Sequence, residues 1–103
     1  MPSTEYDAVR FILDTPSITH RTRRYVNGND FDFTGLTGEA GTMSGGEALL
    51  VGVAHELWHA DKRIGLWEIV RRTDRTNFLR ILTALAIARG DLATDSLEKL
   101  LAA

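Results

Sequence analysis

The chain has 103 residues, of which 44% are hydrophobic and 25% charged, enough for one modest core and too apolar for a disordered chain. It contains no cysteine, which excludes disulfides, thiolate metal sites and cysteine nucleophiles within it. A net charge of −2 argues against strong overall attraction to phosphate backbones.

The opening Met1-Pro2-Ser3-Thr4-Glu5 has no basic start followed by an apolar run, so no signal peptide is expected. The longest apolar stretch, Ala48 to Ala54, is far too short to span a bilayer. A cytoplasmic location and no membrane partner are therefore expected. Charge is unevenly spread. Residues 62 to 80 hold six basic and two acidic side chains, a local +4, whereas residues 27 to 56 hold five acidic side chains and no Lys or Arg.

Ser3 suits a helix cap, and Tyr6, Val9, Ile12 and Leu13 recur at helical spacing, which predicts an amphipathic helix from Thr4 to Asp14. Thr15-Pro16 interrupts it and suits a second start, with Thr15 as cap and Pro16 in the first helical position. Ile18, Tyr25 and Val26 would line the inner face of that helix, and Asn27-Gly28 would end it. A hairpin turning at Asn27-Gly28 is the alternative. Poor alternation in the flanking residues favours the helix.

Residues 27 to 44 read as a Gly-rich loop. Phe31, Phe33 and Leu36 would dock on the core, while Gly35, Gly38 and Gly41 would leave the loop mobile. A short helix near Asp30 to Leu36 is compatible with that reading. Next, Ser44-Gly45-Gly46-Glu47 has capping-box spacing and predicts a helix from Gly45 to about Ala60. Leu50, Val53, Ala54, Leu57 and Trp58 share one face of it. Ala48, Gly52, His55 and His59 lie opposite.

Leu66 to Arg72 predicts a short helix burying Leu66, Ile69 and Val70. Thr73 or Asp74 caps the next, with Phe78, Ile81, Leu82 and Leu85 as its apolar face and Arg89-Gly90 as its end. Thr94 or Asp95 caps a last helix, with Leu97, Leu100 and Leu101 for packing. The sum is a single all-α domain over residues 1–103, an irregular small bundle of five or six helices.

One motif carries chemistry. His55-Glu56-Leu57-Trp58-His59 reads H-E-x-x-H, and on a helix the two imidazoles project from one face and suit a shared zinc ion. The run from Val53 to Ala60 resembles the active-site helix of the zincin metalloproteases. That resemblance covers about eight residues. It implies His55 and His59 as zinc ligands and Glu56 as the catalytic base. Catalytic zinc needs a third protein ligand, and no His follows His59. Lys62 stands where the metzincin pattern has Gly, while Asp91, Asp95 and Glu98 remain as downstream acids. The plain alternative is a solvated helix face that holds two histidines.

Three weaker features remain. Ala48 and Gly52 would let another helix approach closely. Trp58 and Trp67 are candidate interface anchors, because Trp and Arg are enriched at binding hot spots. Arg71, Arg72, Arg75 and Arg80 are candidate phosphate contacts, although residues 66 to 90 fit the register of a helix-turn-helix poorly.

The leading expectation is a non-enzymatic helical binding module that acts through a protein partner or a second copy of itself, with no cofactor. The first alternative is a zinc-binding protein or zinc-dependent hydrolase using His55, Glu56 and His59. The second is a nucleic-acid-binding accessory protein using the stretch from Arg71 to Arg80.

Overall fold

A computed structural model describes residues 3–91; the helix expected from Thr94 or Asp95 lies outside the described residues. The protein is an all-α bundle, with six helices among the described residues and one minimal hairpin. Helix α1 spans Thr4–Leu13, with the Ser3 hydroxyl accepting the Tyr6 N–H at 3.0 Å. Glu5 and Asp7 in its first turn and Arg10 in its last match the helix dipole. Its end is closed from below. The buried Thr15 hydroxyl donates to the Ile12 carbonyl and the buried Thr22 hydroxyl to the Leu13 carbonyl, both at 2.6 Å. The Leu13 carbonyl at the helix end is thereby satisfied, and the Ile12 carbonyl, which also accepts the Thr15 N–H, gains a second donor.

Thr15 is thus occupied with the preceding helix and does not cap a following one. The expected helix beginning at Pro16 shrinks to α2, Thr19–Thr22, followed by a 3-10 turn at Arg23–Tyr25. The chain then forms the hairpin. Strand β1 (Val26–Asn27) pairs antiparallel with β2 (Asp30–Phe31), and Gly28 takes φ +62° in the turn. The Tyr6 hydroxyl donates to the Gly28 carbonyl at 2.7 Å and pins this turn to α1.

The expected Gly-rich loop is likewise replaced, in its middle, by the eight-residue helix α3 at Phe33–Ala40. The Asp32 carboxylate accepts the Gly35 N–H at 3.0 Å and supplies the cap. Phe33 and Leu36, one turn apart, are both buried. Gly35 serves close packing: a Cβ there would lie 2.2 Å from the Tyr25 ring. Glu39 ties α3 to the preceding segment. It accepts from Arg21 at 3.1 Å, from the Tyr25 hydroxyl at 3.2 Å and from Arg24. Burial pushes the Glu39 carboxyl up, but the bonds from Tyr25, Arg21 and Arg24 outweigh this and hold it below its ordinary value.

Helix α4 spans Gly45–His59 and begins with the reciprocal capping box of Ser44 and Glu47. It ends at Ala60, which adopts φ +54°. Helix α5 covers Leu66–Arg72, and α6 covers Arg75–Arg89 between an Asp74 cap and Gly90 at φ +83°.

Helix α1 packs against both α4 and α6, and this trio forms the core. Ile12, Leu13, Leu50 and Ile81 are fully enclosed there. Helix α3 and the hairpin cover one side of α4, and α5 rests on another. Arg80 ties α6 to α1 and to the turn that follows α1. Its guanidinium lies 4.0 Å from the Phe11 ring centroid and donates to the Thr15 hydroxyl at 2.7 Å and the Phe11 carbonyl at 2.6 Å. Among the described residues, no helix is long and apolar enough to cross a membrane.

Candidate functional site

Two surfaces flank α4. The first is a cleft of about 540 Å³ between α3 and the end of α4, lined by Phe33, Asp32, Thr34, His55, His59 and Arg63 among others. Helical spacing places the His55 and His59 rings 4.7 Å apart, and both pack on Phe33, at 4.8 and 5.5 Å. The His face of α4 is therefore not fully solvated: the His55 side chain is 14% exposed. Periodicity placed these residues on one face but gave no sign that α3 would cover it.

The positive-φ residues Ala60 and Lys62 fold the chain back after α4. This brings the Asp61 carboxylate 3.2 Å from the buried His55 Nδ1, without hydrogen-bond alignment. Asp61 accepts from Arg63 Nε at 2.9 Å. Burial and the nearby Arg63 lower the His55 pKa, against the opposing pull of Asp61. The hydrogen bond from Arg63 holds the Asp61 carboxyl below its ordinary value.

Glu56 stands elsewhere. Its carboxylate accepts the Ile64 N–H at 2.7 Å and borders the second surface rather than the histidine cleft. Among the described residues, no group of three His, Asp or Glu side chains converges as a metal would require. Asp95 and Glu98 lie outside the described residues; Asp91 pairs with Arg89 at 3.1 Å. The small residue Gly52 does not admit a second helix. A Cβ there would lie 2.7 Å from Ile64 Cδ1, so Ile64 fills the notch.

The second surface is α5 with the adjoining edge of α6. The expected burial of Leu66 and Val70 is corrected here. Leu66 is 82% exposed, Trp67 67% and Val70 55%, while Ile69 packs against the core. Ile64 and Ile69 already seat this two-turn helix on α4, and nothing among the described residues covers its other apolar side. Leu85 of α6 is also exposed and faces the same region. Between the two helices lies an apolar hollow of about 160 Å³ lined by Leu57, Ile64, Leu66, Ile69, Ile81 and Leu85 among others.

The two tryptophans part company. Trp58 is half-buried, edge-on to Phe31 at 4.9 Å and near Tyr6 at 6.4 Å. Trp67 stands out from α5 with the Arg71 guanidinium 5.0 Å from its ring centroid. The four arginines also separate. Arg72 pairs with Glu68 at 3.6 Å, Arg75 is exposed at the start of α6, and Arg80 turns inward onto α1. Leu66, Val70 and Leu85 are the surface residues that periodicity assigned to the interior. No family model, curated protein or solved structure matches the chain.

Proposed function

We propose that this chain is a non-enzymatic helical module that binds a protein partner through the outer face of α5. The observation that carries the reading is the exposure of Leu66, Trp67 and Val70 side by side on one short helix. Contiguous apolar exposure of this kind is unfavourable in water and marks interaction surfaces. A Trp with an Arg stacked on it is also the side-chain chemistry of binding hot spots. A cytoplasmic setting belongs to the same proposal, since a cysteine-free chain needs no oxidising compartment.

Glu56 favours this reading over a zinc hydrolase, because its carboxylate is engaged by the Ile64 N–H. The inward Arg80 weakens the case for a continuous row of phosphate contacts. The test is photocrosslinking in the source cells, with a photoreactive side chain at position 67 or, as control, at exposed Arg23. A discrete protein adduct from position 67 alone, abolished by adding Leu66→Lys and Val70→Lys, is expected. Equal labelling from both positions, or none from position 67, would overturn the proposal.

A further inference from the structure

We infer that the occupant of the α5 face is a second copy of this chain, docked in a two-fold contact that seats each Trp67 in the other chain's hollow between α5 and α6. The inference rests on the reading of α5 as a docking surface and names what docks there.

In a two-fold contact the same patch serves both sides, so it must carry both halves of every complementary pair. This patch carries a knob and a hole. The knob is Trp67, which stands out from α5 and is 67% exposed. The hole is the apolar hollow of about 160 Å³, to which α5 contributes Leu66 and Ile69 and α6 contributes Ile81 and Leu85. A cavity of about 150 Å³ accepts a benzene-sized group, so this one takes the six-membered ring of one indole. Trp67 does not line the hollow of its own chain, yet it directly follows Leu66, which does. A two-fold axis in the contact plane, midway between knob and hole, brings each Trp67 onto the other chain's hollow and fills both at once.

Charge follows the same arrangement. The Arg71 guanidinium is stacked on the Trp67 ring, 5.0 Å from its centroid, so a cation travels with the knob. Glu56 lines the hollow, so a carboxylate waits at the hole. One oxygen of Glu56 accepts the Ile64 N–H, and that bond leaves the negative charge in place. Among the described residues, neither Arg71 nor Glu56 makes an ion pair. Seating Trp67 therefore brings Arg71 towards the partner's Glu56, twice per dimer, and opposite charges favour that alignment.

Size sets the strength. Trp67 with the exposed Leu66, Val70 and Leu85 forms the apolar part of the patch. Buried in duplicate, these side chains amount to on the order of 1,000 Å², the low end for a specific interface. Contacts of that size belong to weak, reversible complexes, so dimerisation is expected at micromolar concentrations.

The test is sedimentation equilibrium of the full chain from about 5 to 500 μM, a range that brackets micromolar affinity. A monomer–dimer equilibrium is expected, weakened about tenfold by Trp67→Ala. Arg71→Gln should weaken it about threefold, and no further in a Glu56→Gln background, since the pair is already broken there. The contact is mapped with a photoreactive aromatic side chain at position 67 in a mixture of isotopically light and heavy chains. Mixed-isotope adducts at Leu57, Leu66 or Leu85 are expected. A chain that stays monomeric, a dimer indifferent to Trp67→Ala, or adducts outside the hollow would overturn the inference. Adducts that never mix isotopes would do the same and would point to a cover from within the chain. A foreign protein crosslinked from position 67 in cells, with the purified chain monomeric, would remove the second copy and leave the docking surface standing. A monomeric chain with no crosslink in cells would remove both.

Discussion

The Glu56 carboxylate accepts the Ile64 N–H at 2.7 Å across the turn that joins α4 to α5, and this bond sets the direction of α5. Gln retains an acceptor at that position, whereas Ala leaves a part-buried amide unpaired. Glu56→Ala should therefore cost about 1–2 kcal/mol of stability, and Glu56→Gln distinctly less. Urea unfolding measures both. Equal losses would remove the bond from the explanation.

Arg80 joins the two ends of the described fold through two hydrogen bonds and the Phe11 ring. Arg80→Met keeps much of the aliphatic packing and loses the donors; Arg80→Ala loses both. The expected order is wild type, then Met, then Ala, with the last about 2–4 kcal/mol below wild type. Thermal unfolding read by circular dichroism would establish that order, and an unchanged Arg80→Ala would refute the role.

His55 gives stability a pH dependence. Its folded-state pKa lies below the ordinary value because it is buried and near Arg63, with Asp61 pulling the other way and His59 adding a small push downward. The unfolded chain therefore binds the proton more readily. The contribution is fully present above about pH 6.5 and is lost as pH falls through the depressed folded value. Asp61, Arg63, His59 and, across the cleft, Asp32 share this environment. Urea midpoints should drop more steeply between about pH 7.5 and 5.5 for wild type than for His55→Gln. Identical slopes would assign the dependence to other groups.

Gly35→Ala tests the tight approach of α3 to Tyr25. Ala ordinarily favours a helix by up to about 1 kcal/mol over Gly. Here its Cβ would meet the Tyr25 ring at 2.2 Å, and the displaced ring would strain its bond to Glu39. A net destabilisation of about 1–3 kcal/mol is expected, whereas a gain in melting temperature would contradict the packing described.

Leu66→Lys with Val70→Lys should leave folding stability within about 0.5 kcal/mol of wild type, because neither side chain belongs to the core. A calorimetric scan measures this and also controls the docking experiments. A large loss would place these residues inside the fold.

What was legible in the sequence was local. Ser3, the Ser44–Glu47 pair and Gly90 end their helices where their chemistry requires it. Helical periodicity also found the inner faces of α1 and α4. The hairpin at Asn27-Gly28 ranked below a helix because its two strands are only two residues each, too short for alternation to register. A short helix near Asp30 to Leu36 was compatible with the sequence, but α3 at Phe33–Ala40 read mainly as loop because of its glycines, whereas Gly35 answers to the Tyr25 ring ten residues earlier. Helix α5 exposes the same gap from the other side. Periodicity locates an apolar stripe but not what covers it, so Leu66 and Val70 read as buried. The histidine spacing was visible, but the placement of Phe33 over both rings and of Glu56 under Ile64 depends on chain returns that no local pattern encodes.

The locking of α1 by α6 bears on when the chain can fold during synthesis. Thr4 donates to the Ala88 carbonyl across 84 positions, and Arg80 reaches the Phe11 carbonyl across 69. Contacts of such sequence separation must close a long loop before they contribute, which slows folding. Helix α1, made before α6, therefore lacks one of its two main packing surfaces until α6 has been made. Over that interval its apolar face depends on α4 alone, and a ribosome-bound chaperone would find its best substrate there.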